Sequence, residues 1–294
     1  MTQHPSTLVA SAYSLATRRG YLSDLRIWRD WCSRRGVSAI PADPEDVASF
    51  LRDQAQEKRP ATVRRYAAAI SRAHSLLSLP SPTQSDVVRL SIKAIHREKG
   101  RRQKQAPPLT RTEIDTILVA LSVRPTPLQI RDAALLAVAY DTMARRSELA
   151  ALLWEDITEN PDSHSGTVLI RRSKNDPEGE GSTRYLAPDT MILLTRWRDL
   201  CRTPTVFGLR GKAISAAIRR AARSAGLDGE YSAHSTRVGC AQDMAAAGLG
   251  TAEIMQAGGW HSAEMVARYT ERQAAQRGAS AKLAELQGRH TKLK

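Results

Sequence analysis

A short linker at residues 100–108 divides the chain into two parts. Its sequence, Gly-Arg-Arg-Gln-Lys-Gln-Ala-Pro-Pro, combines a glycine, two prolines and polar residues, a composition that disfavours helix and strand. With 294 residues, the chain is long enough for two domains that each have a core. We therefore predict a loose arm at residues 1–16, a first domain at 17–99 and a second domain at 109–294.

The two parts differ in charge. Residues 1–109 hold 19 basic and 9 acidic residues, a net charge of +10, whereas residues 110–294 hold 25 and 21, a net charge of +4. Such an excess favours a polyanionic partner, usually nucleic acid, although a ribosomal or membrane-surface protein can have the same charge. The candidate phosphate contacts in the first part are Arg19, Arg26, Arg64, Arg65, Arg101, Arg102 and Lys104. For Arg64 and Arg65, a solvated helix face is the alternative.

The first domain is predicted to be a bundle of four helices. Apolar residues recur at helical spacing over residues 17–36, which predicts the first helix. Proline or capping residues start three more helices. The second helix ends at about Gln56, the third begins at Pro60, and the fourth covers residues 85–98. His74 lies on the apolar stripe of the third helix. We interpret it as a residue of a helix interface and not as a ligand.

The second domain is predicted to be mainly helical with one small β-hairpin. Residues 110–113 form a capping box that starts a helix, and residues 129–142 form an apolar helix. Residues 167–172 and 183–187 have the composition of paired strands. The long polar turn between them contains Lys174. A lysine in a loop is usually only solvated, but on a hinged hairpin it can also deliver a proton.

Several classes of site are not indicated by the sequence. The three cysteines, Cys32, Cys201 and Cys240, are scattered, and neither they nor the histidines have the spacing of metal ligands. Glycine loops for nucleotides and acidic metal clusters are also missing. Because no apolar run reaches about 18 residues, nothing is predicted to span a membrane. We expect no disulfide, no metal and no cofactor, and a reducing cytoplasm as the location.

The stretch from Ala233 to Tyr269 contains the residue types that attack on a phosphate requires. His234 and Arg237 are three apart, so they share a face of a helix. Tyrosine can be a covalent nucleophile, arginine can donate two parallel hydrogen bonds to phosphate, and histidine transfers protons near neutral pH. Each residue alone also fits a structural role: Tyr269 as a half-buried core residue, and Trp260 as the anchor of a chain reversal.

Taken in chain order, these residues resemble the tyrosine site-specific recombinases, also called the lambda-integrase-like family. The resemblance rests on Arg145 with Glu148, on Lys174, on His-Ser-x-Arg-Val-Gly at 234–239, on Glu-Ile-Met-Gln-Ala-Gly-Gly-Trp at 253–260, and on Tyr269. Pro-Ala-x-Pro-Glu-Asp-Val at 41–47 extends it to nearly the whole chain. The resemblance implies a mainly α fold with a small β-hairpin or sheet in the catalytic domain, and a two-domain, C-shaped clamp.

The resemblance also implies a role for each residue of the set. These roles are nucleophile for Tyr269, phosphate binding for Arg145 and Arg237, general acid for Lys174, assistance to proton transfer for His234, the place of a second histidine for Trp260, and support for Glu148. His261 is an alternative to Trp260, but the nine-residue step to Tyr269 selects Trp260. Arg146 stands where relatives usually have an apolar residue, and the three-residue step to Glu148 favours Arg145.

The implied activity is site-specific DNA recombination through a 3′-phosphotyrosine and a Holliday junction, without ATP or metal. The implied partners are double-stranded DNA with inverted-repeat sites and a homotetramer on two sites, in which residues 280–287 dock on a neighbouring protomer. Lys212 begins a basic helix that resembles the major-groove helix of the family. The resemblance also implies that the protein is encoded by a bacterium or a phage and is associated with the nucleoid.

Two other functions also fit the sequence. One is strand relaxation by a type IB topoisomerase, which uses similar chemistry without pairing two sites. The other is a DNA-binding accessory protein on the same fold that transfers no strand. The basic N-terminal bundle disfavours the first, and the complete set of polar residues disfavours the second.

Overall fold

The chain forms two units that divide after Lys104. The computed structural model describes residues 13–100, 105–171 and 180–289. The division falls within the predicted linker at residues 100–108. Four of the candidate residues lie outside the described residues, namely Arg101, Arg102, Lys104 and Lys174.

The first unit contains the four predicted helices. They are α1 (Leu15–Arg35), α2 (Pro44–Glu57), α3 (Pro60–Leu76) and α4 (Asp86–Lys99), with a 3-10 turn at Pro82–Gln84 before α4. Helix α2 begins after Asp43, whose side chain accepts a hydrogen bond from the Glu45 N–H. This cap and the proline at the first helical position fix the start of the helix.

Aromatic residues build the core of the first unit. The rings of Trp28 and Trp31 stack with centroids 5.5 Å apart, and Phe50 packs edge-on against both. His74 is fully buried; its Nδ1 donates to the Ile70 carbonyl at 2.8 Å, and its Nε2 accepts from the Ala42 N–H at 2.9 Å. The interface role predicted for His74 is therefore confirmed.

The second unit is mainly helical around a small sheet. Its helices and strands are α5 (Arg111–Ser122), α6 (Pro127–Asp141), α7 (Arg146–Ala151), β1 (Ile157–Asn160), β2 (Ser165–Ile170), β3 (Ser182–Leu186), α8 (Pro188–Arg198), α9 (Gly211–Ser224), α10 (Ala233–Ala246), α11 (Thr251–Gly258), α12 (Ala263–Arg277) and α13 (Ala279–Leu286). This arrangement confirms the predicted fold class, mainly α with a small sheet.

The sheet has three antiparallel strands in the order β1-β2-β3. The predicted hairpin is present, with Val168 opposite Arg184 and Ile170 opposite Ser182. Strand β1 is an addition to it, because the sequence does not predict a strand at Ile157–Asn160. Three of the four residues of β1 are exposed, so the strand lacks the alternation of apolar and polar residues that marks a half-buried strand.

The apolar helix α6 runs through the core of the second unit, and residues 132–139 are all buried. It positions the two halves of the candidate site. Its C-terminal end leads into the turn before α7, and its Ala139 carbonyl accepts a hydrogen bond from Thr236 of α10 at 3.0 Å. Within the described ranges, no helix is long and apolar enough to cross a membrane.

Candidate active site

Arg145 and Glu148 form the first part of the site, at the start of α7. Arg145 is the N-cap residue of the helix. Its N–H donates to Glu148 Oε2 at 2.7 Å, and its guanidinium donates to Glu148 Oε1 at 2.9 Å. The Glu148 side chain is only 5% exposed, so this is no ordinary surface ion pair. Because a buried carboxylate holds it at two points, Arg145 has a fixed orientation.

Helix α10 supplies His234 and Arg237. The helix begins after Ser232, whose hydroxyl accepts from the His234 N–H at 3.2 Å. Arg237 lies one turn further along and is 3% exposed. Its guanidinium donates to the Gly258 carbonyl at 3.1 Å and to the Met143 carbonyl. These acceptors lie after α6 and at the end of α11, so Arg237 joins three segments of the unit.

The two arginines give the site a positive potential. Burial, together with the charge of Arg145, lowers the pKa of Arg237 to about 10, while the carboxylate of Glu148 acts in the opposite direction. Arg237 therefore stays protonated at neutral pH. Since one buried carboxylate faces two guanidinium groups, the site has an excess of positive charge that favours an anion.

Tyr269 on α12 is 4% exposed and faces this cluster. Its hydroxyl lies 3.2 Å from Nε2 of His234. Burial raises the pKa of Tyr269, against the opposing charges of Arg237, Arg268 and Arg145. The phenol is therefore protonated at neutral pH, and it needs a proton acceptor before its oxygen can attack.

His234 can serve as that acceptor. Partial burial, followed by the charges of Arg237, Arg268 and Arg145, lowers the pKa of His234. The residue as a whole is still exposed to solvent. At neutral pH the imidazole is therefore neutral, and it can accept a proton through Nε2.

Trp260 closes the site from the side of α11. Its ring lies 5.4 Å from the Tyr269 ring and 4.8 Å from the Arg237 guanidinium carbon, a cation–π distance. A side chain at Gly258 would collide with the Trp260 ring, which explains the glycine there. His261, the alternative, is exposed, so Trp260 is the residue that packs in the site.

A cavity of about 250 Å³ opens beside these residues, lined among others by Arg145, Arg146, His234 and Arg237. The Glu148 carboxylate holds Arg145 and two backbone carbonyls hold Arg237, and both residues line this cavity. The arrangement suits an anionic group that accepts hydrogen bonds from several donors at once. The hydroxyl of Tyr269 lies 3.2 Å from Nε2 of His234, which is one of the lining residues.

The sequence profile of the phage integrase family matches residues 107–276. The chain belongs to the phage integrase family. Recombinase cre of Escherichia phage P1 is 30% identical over 306 residues, which cover 93% of this chain and 89% of the relative. An integrase/recombinase xerD homolog of Selenomonas ruminantium is 30% identical over 279 residues, with coverage of 87% and 81%.

Solved structures of low sequence identity share the fold of this chain. XerH site-specific recombinase bound to palindromic difH substrate is 18% identical, with a TM-score of 0.66 and coverage of 94% of this chain and 80% of that one. A lambda integrase dimer bound to a COC′ core site is 16% identical, with a TM-score of 0.63 and coverage of 90% and 74%. The predicted family and enzyme class, a tyrosine recombinase that transfers DNA strands, are thus confirmed. The recombinase function is supported over the two alternatives.

Six of the predicted site residues meet in one place. The structure brings together Tyr269, His234, Arg237, Arg145, Glu148 and Trp260. Lys174, the predicted general acid, lies outside the described residues. Among the residues that the structure describes, no group of three or more His, Cys, Asp or Glu side chains is placed to hold a metal ion.

One residue beside this cluster was missed from the sequence. Arg184 on β3 donates to the carbonyls of Gln256 and Ala257, at the end of the helix that precedes Trp260. Strand alternation places Ser182, Arg184 and Leu186 on the same face of β3. An arginine on the same face as the buried Leu186 was the available signal.

The predicted DNA-contact residues differ in how their side chains are held. Arg19, Arg26, Arg64 and Lys212 are exposed. The exposed side chain of Arg65 is instead paired with Asp24, which is 1% exposed, through hydrogen bonds of 2.7 and 2.8 Å. This pairing leaves the Arg65 guanidinium fewer donors for a phosphate, so part of its role is structural.

Proposed function

We propose that Tyr269 cleaves and rejoins DNA phosphodiesters through a covalent 3′-phosphotyrosine. One observation carries this proposal: the Tyr269 hydroxyl lies 3.2 Å from a neutral imidazole, beside two arginines that the backbone and a buried carboxylate hold in place. The family of the chain, a family of strand-transferring enzymes, supports it.

In the cleavage step, the oxygen of Tyr269 attacks the phosphorus while its proton passes to Nε2 of His234. The bond from phosphorus to the 5′-oxygen breaks, and that oxygen leaves with a proton, for which Lys174 is the proposed donor. A 5′-hydroxyl of another strand then attacks the phosphotyrosine and restores a phosphodiester. One ester replaces another, so the bond energy is conserved and no ATP is needed.

Arg145 and Arg237 are proposed to bind the non-bridging phosphate oxygens. A guanidinium has five N–H groups, so the contacts to Glu148, Met143 and Gly258 leave donors for the phosphate. Because both side chains are fixed before DNA binds, little reorganisation is required as charge develops. Such donors can supply the electrostatic stabilisation that a metal ion gives in other enzymes.

The first unit is proposed to bind the DNA backbone. Arg19, Arg26 and Arg64 are exposed, and the linker sequence adds three basic residues at positions 101, 102 and 104, outside the described residues. Exposed cations attract the phosphate backbone without sequence preference. Lys212, at the start of α9, is the proposed contact to base edges. The clamp arrangement of the two units stays a prediction.

The proposed assembly is a homotetramer on two inverted-repeat sites, in the cytoplasm of a bacterium or of a phage-infected cell. Helix α13 follows the break at Gly278, and its Leu283 and Leu286 are 52% and 86% exposed. A helix of eight residues is too short to be stable without a covering surface. Docking on the next protomer would cover it, and four such contacts close a ring. A lambda integrase tetramer bound to a Holliday junction has a related fold.

Trapping the covalent intermediate tests the proposal. Inverted-repeat duplexes that the protein binds are first selected from a random-sequence library. A nick beside the cleavage point then lets the short fragment with the free 5′-hydroxyl diffuse away, so that cleavage is not reversed. We expect a stable protein–DNA adduct with the natural chain and none with Tyr269→Phe, which keeps DNA binding. Tyr231→Phe is the matched control, since Tyr231 is partly buried and packs against the core of the same unit. An adduct that persists in Tyr269→Phe and is lost in Tyr231→Phe would reassign the nucleophile.

A further inference from the structure

Arg184 lies beside the active site and has no role in the chemistry above. Its Nη1 donates to the Gln256 carbonyl at 2.7 Å and to the Ala257 carbonyl, and its Nη2 donates to Ser182 Oγ at 3.2 Å. The charges of Glu148 and Arg145 reach the guanidinium as well: burial lowers the pKa of Arg184, Glu148 raises it and Arg145 lowers it. Arg184 is therefore a third arginine of the same charge cluster.

The partners of Arg184 are the last carbonyls of α11. The final carbonyls of a helix have no partner within the helix, and this end of the helix dipole attracts cations. Arg184 takes the carbonyls of Gln256 and Ala257, and Arg237 takes that of Gly258. Two arginines from different elements thus hold three successive carbonyls immediately before Trp260.

Gly259 gives a second, independent sign of this contact. Its φ is +58°, in the left-handed region, and the residue ends α11. A Cβ at this position would collide with the Arg184 guanidinium. Glycine is therefore required for the backbone conformation and also for the close approach of Arg184 to the turn.

We propose that Arg184 is a positioning residue for strand transfer. It ties the turn at residues 256–260 to β3, and so it holds the Gly258 carbonyl, which orients Arg237, and the Trp260 ring, which packs on Tyr269. Arg184 acts on the phosphate only through these neighbours. The proposal rests on the proposed function of Tyr269, because its effect is read in the cleavage step.

The first test compares Arg184→Gln and Arg184→Lys with the natural chain on the nicked substrate. Misplacing a catalytic group by about 1 Å can cost about 100-fold in rate, so we expect Arg184→Gln to cleave about 10- to 100-fold more slowly at saturating DNA. The dissociation constant for DNA should not change. Arg184→Lys, which keeps one cationic donor for the carbonyls, should recover part of the rate. The control is Arg111→Gln, which removes a half-buried arginine that pairs with Asp115 and Asp189.

The second test is a double-mutant cycle with Gly259→Ala. If the alanine acts by displacing Arg184, it should slow cleavage strongly in the natural chain and much less in Arg184→Gln. Cleavage by Arg184→Gln at the natural rate would overturn the proposal. It would also be overturned if the rate loss of the double variant were the product of the losses of the two single variants. A loss of cleavage that only follows weaker DNA binding would also overturn it. If the natural chain itself forms no adduct, the proposed function of Tyr269 fails first.

Discussion

The arginines of the two units are held in opposite ways. Arg64 in the first unit is exposed on α3, whereas Arg237 in the second unit is 3% exposed and donates to two backbone carbonyls. Arginine therefore serves two tasks in this protein. An exposed guanidinium attracts phosphates through a field that salt screens, whereas a buried one is fixed in direction and works in a lower dielectric.

Arg65 shows that exposure alone does not assign the task. It lies next to Arg64 in sequence and is also exposed, yet its guanidinium is bound to the buried Asp24. Leaving Asp24 unpaired would destabilise the fold, because the charge of a buried carboxylate would no longer be compensated. The arginines therefore fall into two classes. In one class the guanidinium donors are available to DNA, and in the other the protein has already fixed the orientation of the guanidinium.

Replacing Arg237 should have the largest effect on the chemistry. We expect Arg237→Gln to lower the cleavage rate at saturating DNA by about 100- to 1,000-fold, the size seen when one preorganised donor is lost. Binding of the uncleaved site should change little, because the buried side chain contributes mainly in the transition state. Single-turnover cleavage and gel-shift assays measure the two quantities. If binding falls as strongly as cleavage, the contrast between the two classes of arginine breaks down.

Truncation after Gly278 tests whether the pairing of two DNA sites can be lost without losing DNA binding or cleavage. The shortened chain lacks α13 but keeps Tyr269 and every described residue of the site. We expect it to bind single sites normally and to lose complexes that contain two sites, because the apolar face of α13 no longer docks on a neighbour. Sedimentation on DNA with one and with two sites distinguishes these species. An unchanged two-site complex would mean that the tail folds back or stays frayed.

Lys212 tests whether an exposed cation of the second unit can read sequence. If its side chain contacts a guanine in the major groove, Lys212→Ala should remove about 1–3 kcal/mol of discrimination at that base pair. Affinities for the selected site and for base-substituted sites give the discrimination directly. Equal weakening on all of these sites would instead make Lys212 a phosphate contact, like the arginines of the first unit.

Arg64 should give the smallest effect and the sharpest contrast to Arg237. Losing one phosphate contact lowers the slope of log affinity against log salt by about 0.9. Arg64→Gln should therefore weaken binding uniformly across sequences and leave the cleavage rate at saturating DNA unchanged. Arg65→Gln is the comparison variant. It should lower the thermal stability of the protein, because Asp24 loses its ion pair. A normal salt slope in Arg64→Gln would assign Arg64 to the solvated face.

The sequence predicted those parts of the molecule that local rules determine. The capping box at Thr110 and Glu113 is present, and the three-residue spacings of Arg145 with Glu148 and of His234 with Arg237 place each pair in one site. These features lie within one or two turns of a helix, where spacing fixes direction.

The remaining features depend on contacts between distant segments. Arg184 meets carbonyls about 70 positions away, and Arg65 meets Asp24, which is 41 positions away. No periodicity links such residues. Strand β1 was missed for another reason: it is short and mostly exposed, and it is held by pairing with β2 and not by its own composition.

Mapping the covalent adduct identifies the nucleophile and shows whether cleavage needs a metal ion. The natural chain reacts with the nicked site in EDTA, the adduct is digested with trypsin, and mass spectrometry locates the DNA-derived phosphate. We expect the adduct to form without added metal, and the phosphate to be on the peptide that follows Arg268 and begins with Tyr269. A phosphate on Tyr231, or an adduct that appears only when Mg²⁺ is restored, would contradict it.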